Sequence, residues 1–153
     1  MADSYHAHLP ALHPARPRRD PGRGAGRGGT AFAATGALRA TGGDDEELEY
    51  EAMLSAADAS LRLLAADPGA PRRRVVLAAD MPEAAITEDA DLGGPAAVRV
   101  DGSVPYKRLA SAHVDDAGAE EGIARAVADP DAGHQDDHDL MWYAVQELKY
   151  LVE

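Results

Sequence analysis

RRRVVLAADMP, residues 72–82, sets the frame of the chain. Three arginines lead into five consecutive apolar residues, Val75 to Ala79, and Pro82 stops the run. Two adjacent β-branched valines in a short apolar run bounded by proline point to a buried strand. The three arginines stand beside a strongly acidic body, so their expected role is a solvated lead-in to that strand rather than a phosphate grip.

The residues before this strand have the period of a helix. In DDEELEYEAMLSAADASLRLLAAD, residues 44–67, Tyr50, Leu54, Ala57, Leu61 and Leu64 recur at helical spacing, with Met53 beside them. Asp44 is placed to cap the first turn, with Glu47 three residues on. Five acids in the first six residues match the positive end of the helix dipole. Asp67-Pro68-Gly69 ends the helix.

Downstream, Val98 and Val100 alternate before Asp101-Gly102, a hairpin signal. SAHVDD, residues 111–116, reads as a strand with Ala112 and Val114 on one face and His113 and Asp115 on the other. AEEGIARAVAD, residues 119–129, reads as a short helix with Ile123 and Val127 on one side. LMWYAVQELKYLV, residues 140–152, fits helical spacing and is expected to be a third helix. Strands alternate loosely with helices. The expected fold is α+β, a small, mostly antiparallel sheet packed against two or three helices, in a single domain over residues 30–153.

The first 29 residues depart from this pattern. Pro14 to Gly29, PARPRRDPGRGAGRGG, holds five arginines, one acid and no large apolar side chain. Residues 1–29 show no helical or strand period, and proline and glycine punctuate them repeatedly. The expectation is a disordered or aberrant segment. Gly24, Gly26 and Gly29 formally fit G-x-G-x-x-G, but no strand precedes them and no helix opens from them.

Charge excludes several classes of function. The chain has 153 residues and a formal charge of −12. Six arginines and two acids give residues 1–43 a charge of +4, and nine Lys/Arg against 25 acids give residues 44–153 a charge of −16. Such a body repels phosphate backbones and anionic lipid, so neither nucleic acid nor membrane is an expected partner. The arginine-rich stretch lacks interleaved aromatics and offers no stacking platform. There is no cysteine, which removes thiolate chemistry. No apolar run approaches a membrane span, and the expected location is cytoplasmic.

TAFAATGALRA (30–40), EELEYEAMLSAADASLRLLA (46–65), PRRRVVLAADMP (71–82), AAVRV (96–100), VPYKRLASAHVDD (104–116) and HDLMWYAVQEL (138–148) together resemble an actinobacterial family of domains of unknown function. The resemblance covers most of residues 30–148 and brings no reaction, ligand or catalytic residue with it. It implies a short opening strand followed by LP.L and a helix. Leu9-Pro10-Ala11-Leu12 matches the motif, but three prolines and the glycines after it forbid the helix. A local frameshift or misassigned start over residues 13–29 is the expected cause.

Three constellations are candidates for chemistry. His134 and His138 stand four apart beside Asp136, Asp137 and Asp139, a spacing that suits zinc or manganese on a helix. Gly133 and Pro130 favour a solvated loop instead. His113 and Asp115 share a strand face and Asp116 follows, so an Asp-oriented imidazole is conceivable as a general base. The structural alternative is that Asp115 or Asp116 caps the next helix. Trp142 and Tyr143 suit a protein-binding hot spot if exposed.

With no credible cofactor motif and no strong catalytic set, the leading expectation is an acidic domain, without cofactor, that acts through contact with a basic protein partner. The alternative is a small hydrolase or metal-dependent enzyme using His113, Asp115, Asp116 and His138, and it requires His113 and His138 to converge.

Overall fold

In the computed structural model the described residues are 4–11, 29–69, 72–101, 108–129, 131, 139–144 and 146–147. They form the strands β1 (Ser4–Ala11), β2 (Gly29–Phe32), β3 (Val75–Pro82), β4 (Ile86–Glu88), β5 (Ala97–Val100), β6 (Leu109–Asp115) and β7 (Leu140–Ala144). The helices are α1 (Gly36–Arg39), α2 (Asp45–Ala65) and α3 (Glu120–Ala128). The seven strands make one sheet in the order β4-β5-β2-β1-β3-β6-β7, and every pairing is antiparallel. The fold is α+β. No helix of the described residues is long and apolar enough to cross a membrane.

The strand that frames the sequence, β3, lies well inside the sheet. It pairs with β1 along all eight residues, Ser4↔Pro82 to Ala11↔Val75, and with β6 on its other side. Side chains alternate between faces along a strand. Val75, Leu77, Ala79 and Met81 join Ala7, Leu9, Val98, Val100, Ala112 and Val114 in one core. Val76 points to the other face, where α2 packs through Leu48, Ala52, Ala56 and Ala57. Full burial of Leu9 or Leu77 is worth about 1.5–3 kcal/mol each.

The first correction concerns β1. Residues 4–11, expected to be disordered, are instead a long strand in the interior of the sheet. Tyr5, Ala7 and Leu9 do alternate, but His6, His8 and Pro10 occupy the intervening positions and mask the apolar signal. Proline is depleted from interior strands; here β1 meets β2 only at His8↔Phe32. Residues 12–28, which carry most of the arginine-rich stretch and the frameshift expectation, lie outside the described residues.

Helix α2 starts as expected. The Asp44 side chain accepts the Glu47 N–H at 2.9 Å. Gly42 and Gly43 precede it at φ 94° and 110°, a conformation that favours glycine. Its buried face differs from the expected one. Leu48, Ala52 and Ala56 are buried in the first half, whereas Tyr50 and Leu54 are exposed. Small alanines let the helix lie close to the sheet. Further along, Leu61 and Leu64 turn toward Ala119, Ile123 and Ala126 of the α3 region. The buried stripe rotates because the helix changes partners, from sheet to helix.

A second correction concerns residues 140–144, which were expected to begin a helix. They form β7, paired with β6 from Ser111↔Ala144 to Asp115↔Leu140. LMWYA satisfies either period, and the open side of β6 selects the strand. The rest of that expected helix is largely outside the described residues. The hairpin expected at Asp101-Gly102 falls at residues 102–107, also outside them; β5 is flanked by β2 and β4.

Candidate functional site

The helix-packed face of the sheet collects polar side chains in two places. The first is built on β1. His6 and His8 are two apart on a strand, so both imidazoles leave the same face. Their ring centroids are 5.1 Å apart, edge to face. His8 is only 4% exposed. Helix α2 crosses above and brings Glu49, whose Oε2 lies 3.2 Å from His8 Nε2. Strand β3 brings Asp80, paired with His6 in the sheet, and its Oδ1 lies 3.1 Å from His6 Nδ1. Each imidazole thus gives one nitrogen to a carboxylate. The other nitrogen of His8, Nδ1, is buried without a hydrogen-bond partner among the described residues.

An open cleft of about 480 Å³ adjoins this cluster. His6, Glu49, Tyr5, Gly36, Arg39 and Glu88 help to line it. Glu88 organises one wall: its Oε2 accepts the Tyr5 hydroxyl at 3.3 Å and the Gly36 N–H at 3.2 Å. Burial, and then the negative charge of Glu88, push the Tyr5 hydroxyl above its ordinary pKa, so it stays protonated. Arg39, on the cleft wall, is paired with Asp45 at 2.8 Å. Glu83 also lines the cleft, whose field favours cations.

The second place is the junction of β3 and β6. Asp115 is fully buried. Its two oxygens receive Arg74 Nε at 2.9 Å and Arg74 Nη2 at 2.8 Å, and the Arg74 backbone N–H adds a third bond at 2.7 Å. The neighbouring arginines brace the same region. Arg73 donates to the Asp115 carbonyl at 2.8 Å, and Arg72 donates to the Leu64 and Asp67 carbonyls at the end of α2. These arginines were expected to be a solvated lead-in to the strand. They are instead internal ties, drawn inward by a buried carboxylate and by carbonyls at a helix C-terminus.

His113 and Asp115 do share a face, as the alternation of β6 requires. Asp115 is committed to Arg74, however, and Asp116 caps the following 3-10 turn by accepting the Gly118 N–H at 3.2 Å. His113 is half-buried opposite Val76 and Trp142. Burial first, and then the charges of His8 and His6, hold its imidazole below the ordinary histidine value. His134 and His138 lie outside the described residues.

The last expected pair sits on β7, at one end of the described sheet. Trp142 is 61% exposed and Met141 is 50% exposed, whereas Tyr143 is half-buried against the core. The exposed apolar pair is therefore Met141 and Trp142.

Fold and sites together define a small α+β domain with one antiparallel sheet, a helix layer on one face, and polar clusters beneath that layer. The chain matches the family of unknown function DUF6912 over residues 7–152 and belongs to that family. The match begins well before residue 30, where the sequence resemblance starts, and takes in most of β1. No curated protein and no solved structure matches the chain.

Proposed function

We propose that this domain works by binding a basic protein partner along β7. The observation that carries the proposal is the exposure of Met141 and Trp142 on a strand at the end of the described sheet. Successive strand residues face opposite sides, so an added strand would meet one apolar anchor on each face. Tryptophan is enriched among residues that dominate binding energy. Charge selects the kind of occupant. The chain carries −12 overall, and Asp136, Asp137 and Asp139 lie just before β7 in sequence. A second copy repels the first, whereas a basic segment is attracted and steered.

The test is nuclease-treated co-purification with the full chain and with Met141→Ala/Trp142→Ala, followed by binding of the purified partner. Support requires a direct, salt-sensitive, basic partner that the double variant loses. Retention by the double variant, no partner at all, or a dimer that persists in high salt overturns the proposal.

A further inference from the structure

We propose that His6, His8 and Glu49 form a binding site for a divalent first-row transition ion, with Asp80 as the positioning residue for His6. The site is independent of β7. Donor atoms of the three residues all lie within 4.8 Å of one another. Two imidazoles and one carboxylate are a donor set used by both zinc and non-haem iron sites, where further positions stay open to solvent or substrate. The adjoining cleft supplies that opening, since His6 and Glu49 line it.

Two features separate this cluster from an ordinary ion pair. Two histidines share one strand face, each beside a carboxylate, with His8 almost fully buried and the donor atoms of His6, His8 and Glu49 gathered together. Second, Asp80 takes His6 Nδ1 and so leaves His6 Nε2 as the free nitrogen. A carboxylate that fixes the tautomer of a ligating histidine is the recurrent outer partner of metal sites. His8 Nε2 and Glu49 Oε2, 3.2 Å apart, already stand at about the spacing of two tetrahedral ligands with bonds of roughly 2.0–2.1 Å to one ion. The acids around the cleft draw a cation in, and Arg39 is turned toward Asp45.

The experiment uses the full chain, stripped with a chelator and titrated with cobalt(II), then zinc(II). Cobalt is read by its visible ligand-field bands, and zinc by its displacement of cobalt. Expected is one equivalent of cobalt with bands of four- or five-coordinate intensity. His6→Ala and Glu49→Gln should each weaken binding at least about tenfold, and Asp80→Asn about 10–100-fold. His134→Ala/His138→Ala should bind as the unaltered chain does. His6 and Glu49 are partly exposed, so these variants keep the core, and the unfolding midpoint verifies it. Absence of the bands, unchanged binding in both His6→Ala and Glu49→Gln, or loss of binding in the His134/His138 variant overturns the proposal.

Discussion

The two polar clusters beneath the helix layer are built from similar materials and finished differently. Arg74 and Asp115 close on each other: both carboxylate oxygens are used, and the backbone N–H of Arg74 adds a third bond. His6, His8 and Glu49 remain open, with donor atoms within 4.8 Å of one another and a cleft alongside. A closed buried pair ties the start of β3 to the end of β6. An open one holds donors ready for something that is not part of the chain. The difference separates a structural tie from a candidate binding site more cleanly than residue type does.

The largest effect should come from the closed pair. Asp115→Ala removes the buried carboxylate that accepts three bonds from Arg74 and should cost about 3–5 kcal/mol, read from urea unfolding. A loss below about 1 kcal/mol would mean that the pair is no tie. The open cluster should behave otherwise. His8→Leu removes an unpartnered nitrogen and keeps an apolar body in its place. Its stability should stay within about 1.5 kcal/mol of the unaltered chain. A loss as large as that of Asp115→Ala would erase the contrast.

Smaller still is the pH response of His113. Its folded imidazole is held below the ordinary value of about 6.5, so the unfolded chain binds the proton more readily. The stability it contributes is therefore present above about pH 6.5 and is lost as pH falls through the folded value. His113→Gln should flatten the acid side of the stability profile, measured as unfolding midpoint against pH. An unchanged slope would remove His113 as its source. The smallest effect belongs to Trp142, which is mostly exposed. Trp142→Ala should shift stability by no more than about 0.5 kcal/mol while weakening partner capture. A large loss of stability would make Trp142 part of the core instead.

Much of the fold was legible in the residues. Val75 to Ala79 announced β3, the alternation of residues 111–115 announced β6, and Asp44 with the periodic residues after it announced α2. Helix α3 followed from Ile123, Val127 and the early acids. Strand β1 stayed hidden because its helix-facing side is His6, His8 and Pro10, which look polar and broken without the sheet around them. The strand β7 stayed hidden because five apolar residues satisfy two periods at once, and only the open side of β6 decides between them.

The candidate site was less legible. His-x-His was present in the sequence and puts two imidazoles on one face of any strand. Its third member, Glu49, is 41 residues from His8 and lies among other acids at a helix start. Nothing local marks it out; only the crossing of α2 over β1 does. Asp115 was visible but misleading. Its alternation with His113 is real, yet Arg74, just ahead of the neighbouring strand β3, reaches its carboxylate and takes both oxygens.

The most direct test of the contrast is a histidine side-chain nitrogen-15 NMR titration of the full chain with zinc(II). The account predicts that at one equivalent the ring nitrogens of His6 and His8 shift together, with His6 bound through Nε2 and the Arg74 guanidinium signals unchanged. Shifts confined to His134 and His138, or no shift at His6 and His8, would show that the open cluster is only another internal tie.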